Sequence, residues 1–458
     1  MLCKRFSSVT TSWLSRKSRH LINVYRSTLT DNSLPAVNRK KENVDTEAKK
    51  PIEETTTKVR KKRARKINVL DYIEQSVIRN KEMLDLVNYI QKVNPDIMDV
   101  IRSMRYGTFR KGDANILHLI DKDTAARYVS LIGDDLSRNM CYVAELNPGF
   151  GVLTQELLKA DVPLIHLYEG NAKLHKILET VCTKYPGRLS LMPFKNSNLF
   201  GVARTIYEDK INDEKMSRYQ NRFKAIESKN WEDETYMQVI GASDSKDLFT
   251  FIISSLIFRN GFMCHGRPSF YIAILPSLWH RYDIDTRRIN RKRYTYAKVM
   301  FQLMFNYEFL GTLNRKAFIP WAKRKYQHKS RQLVTPTLLP KQDVQDDQMY
   351  VIKLEPKADL YSQLSRKEWI TFSYFVKHHM QARSNRVIPS LERWIPNCGI
   401  KLIAKDYTIY TQFGDLTPAQ ILELFKEFKS WPGYKESHFV GSMNSSVGAH
   451  NEPELFNE

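Results

Sequence analysis

Several protein classes leave marks that this chain lacks. Its 458 residues include five cysteines (Cys3, Cys141, Cys182, Cys264, Cys398) with no CxxC spacing, which excludes a zinc ribbon and a disulfide framework and points to a reducing interior. No run approaches the ~20 apolar residues that a membrane span requires. The adjacent His378 and His379 have no carboxylate or cysteine at a ligand spacing, so they read as a helix-surface feature rather than a metal site. No Ser-His-Asp arrangement can be argued, and no complete GxGxxG fingerprint is present. Cys141 falls in an apolar strand and reads as core.

Acid is also missing where it would matter most. The first thirty residues carry six Lys/Arg and ten Ser/Thr, and the first acidic residue is Asp31. Leu2, Phe6, Trp13, Leu14, Leu21, Ile22 and Val24 are spaced for an amphipathic helix, which is the pattern of a mitochondrial presequence over 1–30. A secretory signal would need a continuous apolar stretch. Residues 31–66 are polar and charged, cannot bury enough surface to order themselves, and read as a linker. It ends in the basic run Arg60–Arg65.

What is present is charge of one sign in two places. Net charge is +22; residues 1–66 carry 18 Lys/Arg against 6 Asp/Glu, and Trp279–Arg331 carries 14 against 3. Cations gathered in this way give a folded domain a basic face suited to a polyanion. Within the second segment they are interleaved with Tyr282, Tyr294, Tyr296, Trp321 and Tyr326. Arg281, Arg287, Arg288, Arg291, Lys292, Arg293, Lys323, Arg324 and Lys325 are the candidate phosphate contacts, and the rings are candidates for stacking unpaired bases. Val299, Phe301, Leu303, Met304 and Phe305 read as core.

The length and the 42% hydrophobic content fit two or more globular parts. Helical spacing of apolar residues runs through 67–120. Strands are then expected at 141–146, 163–168, 188–194, 237–242, 269–275, 307–313 and 349–354, mostly separated by helical segments. Such alternation predicts an α/β fold with a Rossmann-like, largely parallel sheet covered on both faces. The charged stretch 203–235 reads as a surface insertion. The sheet domain is expected over 67–356, and a small helical domain over 357–440. In the latter, Thr417, Pro418 and Gln420 form the start signal of a helix with Ile421, Leu424, Phe425 and Phe428 on one face. The polar tail 441–458 is expected to be disordered.

The segment 141–160 carries the chemistry. Glu145 closes a strand, Asn147-Pro148-Gly149-Phe150-Gly151 forms a turn, and Leu153, Leu157 and Leu158 begin a helix. Glycines there let a ligand approach the backbone, and a helix N-terminus adds positive partial charge. Glu169 ends the next strand, where a carboxylate can accept both hydroxyls of a ribose.

These residues resemble a known family. Ala144–Thr154 is similar to the E-I-G-P-G-x-G-x-L-T loop of the rRNA adenine N6-dimethyltransferases, and "IHLYEGN" (165–171) to their V-x-A-x-E-x-D strand. "ILHLIDKDTAARYV" (116–129) resembles their upstream Q-N-F-L motif, and "NRKAFIPW" (314–321) their Phe-x-Pro-Pro segment. The likeness spans about 116–431. It implies a class I methyltransferase sheet and S-adenosyl-L-methionine as cofactor, with His118, Ile120, Glu145, Asn147, Gly149, Gly151, Glu169 and Asn196 near it. Asn147 stands where the family has glycine, and Phe194-Lys195-Asn196 where it keeps an Asp against the adenine.

The catalytic motif departs further. Family members place Asn-Leu-Pro-Tyr or Phe after the fourth strand, to bond the target amine and stack its ring. This chain has Gly241, Ala242, Ser243 and Asp244 there, so no catalytic set is intact and methyl transfer is expected to be weak or absent. With the presequence, the resemblance implies a mitochondrial transcription initiation factor of the matrix nucleoid, working with the mitochondrial RNA polymerase on promoter DNA. The alternatives are active dimethylation of two adjacent adenosines in a small-subunit mitochondrial rRNA hairpin, and rRNA binding without chemistry.

Overall fold

The fold is described from a computed structural model over residues 81–103, 116–138, 142–193, 228–259, 261–283, 294–321 and 347–448. The presequence and linker expected over 1–66, Cys141, Asn196, Tyr326 and residues 203–227 and 449–458 lie outside the described residues. Nine strands are present among them: β1 (His118–Leu119), β2 (Tyr142–Leu146), β3 (Ile165–Glu169), β4 (Leu189–Pro193), β5 (Met237–Ser243), β6 (Pro268–Ile274), β7 (Phe305–Asn314), β8 (Phe318–Ile319) and β9 (Gln348–Pro356). The helices of eight residues or more are α1 (Lys81–Val93), α2 (Lys122–Arg138), α3 (Val152–Lys159), α4 (Ala172–Lys184), α5 (Lys246–Phe258), α6 (Tyr296–Met304), α7 (Arg366–His379), α8 (Pro418–Ser430) and α9 (His438–Gly448).

All seven expected strands pair in one sheet, in the order β4-β3-β2-β5-β6-β9-β7. β4 through β6 are mutually parallel, and β9 runs antiparallel to both β6 and β7. The chain winds outward from β2 through β3 to β4, then returns to β5 on β2's other side. The switch point is therefore the crevice beyond the carboxyl ends of β2 and β5, where open α/β sheets bind ligands. Antiparallel β1 and β8 form a separate two-stranded ribbon, tied to the tip of β5 by an isolated bridge between Ile116 and Ser243.

Period-two alternation sends each strand's side chains to two cores. Phe270, Ile272 and Ile274 of β6 join one apolar cluster, while Tyr271 and Ala273 join the other. The second cluster is completed by α2, α3 and α4. The first is completed by α5, α6 and the helices that follow the sheet. Phe301 is its ring centre: it stands 5.5 Å from Phe249, 5.4 Å from Tyr282 and 5.4 Å from Phe305, and is fully buried.

The helices after Pro356 pack onto the same core as the sheet, since Trp369, Phe372, Phe375, Phe425 and Phe428 belong to its cluster. Three expectations are corrected. The tail does not begin at 441: α9 continues to Gly448, anchored by the fully buried Phe439 and a 2.7 Å bond between the Tyr374 and Ser442 hydroxyls. At the end of the expected insertion, Trp231 is buried, donates to the Lys357 carbonyl at 3.1 Å and packs against Tyr361. His379 is not on a helix surface. It is 1% exposed and stacked on Phe413 at 4.5 Å, and burial takes its pKa down to about 3.

The start signal of α8 holds as read. Thr417 and Gln420 make a reciprocal capping box with Pro418 in the first turn, and Ile421, Leu424, Phe425 and Phe428 are buried.

A shared core predicts shared unfolding. Phe301→Ala should lower stability by about 3–5 kcal/mol, and urea melts followed at sheet and helix should shift together. Separate transitions, with only one moved, would show two independent cores.

Candidate functional site

The site forms where the chain leaves β2. Asn147 (φ 53°), Gly149 (φ 61°) and Gly151 (φ 71°) all take left-handed backbone, which glycine adopts freely and asparagine tolerates best among the rest. Asn147 therefore keeps the turn that a family glycine would make. Gly149 is fixed by space as well, since a Cβ there would lie 2.6 Å from His118 Nδ1. Gly151 then opens α3.

This turn folds onto the next strand end. Gly149 N–H donates to Glu169 Oε2 at 3.0 Å and Asn171 N–H to Oε1 at 2.8 Å. His175 Nε2 lies 2.5 Å from the Glu169 carbonyl. The Thr154 hydroxyl donates to Glu145 Oε2 at 2.6 Å, and both glutamates are 1% exposed. Burial pushes the Glu145 carboxyl up to about 8; the Thr154 bond opposes the rise and the Glu169 charge adds to it. Glu145 is thus mostly neutral at pH 7. His118 is buried with Nδ1 unbonded, and desolvation lowers its pKa against the pull of Glu169.

The expected cofactor residues divide accordingly. His118, Glu145, Asn147, Gly149, Gly151 and Glu169 come together at the carboxyl edge. Ile120 does not join them: its side chain is fully buried in core and its N–H donates to the Ala317 carbonyl at 2.9 Å. A narrow cleft between the turn and β5 is lined instead by Leu117, Leu119, Tyr128, Glu145, Gly241 and Phe318, among others. Leu117 and Leu119 alternate with His118, so an upstream strand is the signal that could have found them. Tyr128 gave no local signal. Its buried hydroxyl stands 2.7 Å from the Gly241 carbonyl and 2.9 Å from that of Tyr271, joining α2 to β5 and β6.

The motif position is tight against β2. A Cβ on Gly241 would lie 3.0 Å from the Leu146 Cβ and 3.1 Å from its carbonyl oxygen, so a side chain there is crowded and Leu146 must give by a few tenths of an ångström. Asp244 Oδ1 is buried without a partner, and burial raises its pKa while the Arg315 charge lowers it. Arg315 itself is buried and donates to the Phe318 and Pro320 carbonyls at 2.7 and 2.9 Å.

Of the basic candidates, only Arg281 is among the described residues, where it is exposed. Arg287, Arg288, Arg291, Lys292, Arg293, Lys323, Arg324 and Lys325 lie outside them. Two of the rings expected to stack on bases are committed to the core instead. Tyr282 is buried face to face with Phe249 at 4.0 Å, and Tyr294 is buried too. Tyr296 bonds the Ser373 hydroxyl at 2.7 Å. Trp321 is half-buried, donates to the Lys316 carbonyl and meets Tyr89 edge-on.

Comparison with known proteins follows the same line. The chain is 27% identical over 382 residues to dimethyladenosine transferase 2, mitochondrial, of Drosophila melanogaster, covering 74% of this chain and 82% of that protein. The chain is thus similar in sequence to a dimethyladenosine transferase over most of its length. Among solved structures, a dimethyladenosine transferase from Plasmodium falciparum matches at 12% identity, over 67% of this chain and 97% of that one, with a TM-score of 0.40. A putative RNA methyltransferase from Pyrococcus horikoshii matches at 10% identity, over 51% and 83%, with a TM-score of 0.26. No family model matches. A Rossmann-like methyltransferase sheet with a helical C-terminal region is the architecture observed.

Two outcomes test this geometry. Gly149→Ala should cost about 2 kcal/mol or more, from left-handed backbone and the His118 clash together. In a His118→Ala background the cost should fall toward the backbone part alone; an unchanged cost would show no clash. Glu145 has its folded pKa raised above the unfolded value of 4.5, so its stabilising contribution is full below about 4.5 and is lost as pH climbs toward 8. Glu145→Gln should flatten the stability profile between pH 5 and 8 in urea melts, and an equal slope would contradict the shift.

Proposed function

We propose that this chain is a mitochondrial transcription initiation factor that assists the mitochondrial RNA polymerase in melting promoter DNA. The observation that carries this reading is the crowding of Gly241 against Leu146. Dimethylation requires a side chain near that point to hold the adenine amine while its nitrogen lone pair attacks. Here the backbone leaves little room for one, and Asp244 offers no ring. A fold that retains its glycine turn and basic segment while lacking the groups that aim the acceptor is better suited to holding nucleic acid than to modifying it.

The donor set fits S-adenosyl-L-methionine in kind: Glu169 would hold the ribose, with the Gly149–Gly151 turn and His118 beside it. When bound, that cofactor supplies an electrophilic methyl group. Each Glu169 oxygen accepts one backbone N–H and keeps a second lone pair with which it would accept a ribose hydroxyl. The basic segment Trp279–Arg331 would supply phosphate contacts to a melted strand. The relative's mitochondrial name and the presequence pattern of 1–30 support a place in the matrix nucleoid.

Dimethylation of two adjacent adenosines in a hairpin of small-subunit mitochondrial rRNA is the second reading. It draws on the Glu145–Glu169 pair and on the name of the Drosophila relative.

Run-off transcription from a mitochondrial promoter with purified polymerase separates the two. Stimulated initiation alongside methylation of the hairpin at background level is expected, and Gly241→Asn should fail to raise methylation. Strong methylation abolished by Glu169→Ala, without stimulated initiation, would reverse the assignment. Reversing Arg287, Arg288, Arg291 and Arg293 should weaken single-stranded DNA binding and flatten its salt dependence, by about 0.7 in log–log slope for each phosphate that is no longer neutralised. An unchanged slope would remove the basic segment from the interface.

A further inference from the structure

Far along the chain from the glycine turn, the helical region carries a surface that nucleic-acid binding does not explain. Only seven large apolar side chains are exposed among the described residues, and four of them fall within one stretch of eleven: Ile400 (76%), Ile403 (56%), Ile409 (52%) and Tyr410 (67%). Ile400 and Ile403 are one helical turn apart on the short helix Gly399–Ile403. The chain then folds back, with Tyr407 N–H donating to the Leu402 carbonyl at 3.1 Å. Surface apolar residues are ordinarily scattered, and their concentration marks a contact surface.

A groove of about 520 Å³ adjoins this stretch, lined in part by Trp394, Pro396, Lys401, Trp431, Glu436 and His438. Lys401 joins the two features: it lies between the exposed isoleucine positions in sequence, and its Nζ stands 5.9 Å from the Trp431 ring centre. Arg393 stands at the groove, and the Arg386 guanidinium lies 5.4 Å from the Tyr410 ring centre. Neither arginine nor Lys401 has an acidic partner among the described residues. Two nearby acids are occupied: Glu392 accepts the Asn397 and Gly399 N–H groups, and Glu427 pairs with Lys405 at 2.9 Å. Glu436 also lines the groove, where Arg393 and Lys401 outnumber it.

We infer that the Ile400–Tyr410 face and the adjoining groove form a docking site for a partner protein segment that presents an apolar anchor flanked by carboxylates. The chemistry selects this occupant. Three of the four exposed side chains are isoleucines, which cannot stack a nucleobase as aromatic platforms do. A bilayer-binding helix needs a long apolar face, and this helix has five residues. A second copy of the chain would bring the same unpaired cations against one another. An acidic, apolar-faced segment meets both the isoleucines and the unpaired cations, in the manner of a helix laid in a groove.

The test uses the full chain and a fluorescently labelled synthetic helical peptide with leucines at i, i+3, i+4 and i+7 and glutamates on its flanks. Binding by anisotropy is expected with Kd on the order of 10 µM. It should weaken roughly 10-fold or more in Ile400→Asp/Ile403→Asp, weaken in Lys401→Glu, and vanish when the glutamates are replaced by lysine. These side chains are exposed, so the variants should keep the wild-type melting temperature. The inference is overturned if the wild type does not bind the peptide, or if the double variant binds it equally well. It is also overturned if Ile400 and Ile403 prove to be needed instead for binding anionic phospholipid vesicles or a single-stranded oligonucleotide.

Discussion

The carboxylate of Glu169 is the contact on which the site depends. By accepting Gly149 N–H on one oxygen and Asn171 N–H on the other, it ties the turn after β2 to the start of α4 and sets the carboxyl edge of the sheet. Two charge-assisted bonds in a nearly water-free place are strong, and without them a buried charge would stand with no donors. The tie goes with a left-handed run at Asn147, Gly149 and Gly151, the turn from which the Gly149 amide reaches Glu169. Glu145, crowded by burial and by the same charge, stays mostly neutral. The two glutamates at neighbouring strand ends are thus held differently, Glu169 by two backbone N–H groups and Glu145 by the Thr154 hydroxyl.

Much of the fold was legible because it rests on period. Strands buried on both faces read as continuous apolar runs, and all seven were found within a few residues of their ends. The capping box of α8 was equally plain, since Thr417, Pro418 and Gln420 act locally. What escaped was set by distance along the chain. Tyr128 meets Gly241 across 113 residues and Tyr271 across 143, and nothing beside Tyr128 announces either contact. His379 looked polar and exposed because its neighbour His378 is also histidine, yet the packing of α7 against Phe413 turned one ring inward and left the other half-buried. At Pro356 the change legible in the sequence is one of secondary structure, from strand to helices.

At the site itself, six of the expected residues meet at the carboxyl edge while Ile120 packs into core. Asn147 in place of glycine suggested a loss of backbone freedom, but asparagine is the side chain that best tolerates the conformation found. Gly241 carried the larger meaning. Read as a sequence, it is an absent amide; in the fold, it is a position where β2 and β5 approach closely enough to crowd a Cβ. A side chain there would therefore need Leu146 to give by a few tenths of an ångström. Tyr128 bonds the Gly241 carbonyl from the other side.

The tyrosines of the basic segment gain a different purpose by the same reasoning. Tyr282 stacks on Phe249 and Tyr294 is buried in the same cluster, so both rings are committed to the core and unavailable to bases. In sequence they bracket residues 283–293, which contain Arg287, Arg288, Arg291, Lys292 and Arg293. The rings at both ends of this stretch fill the core, a role set by packing and independent of the charge between them.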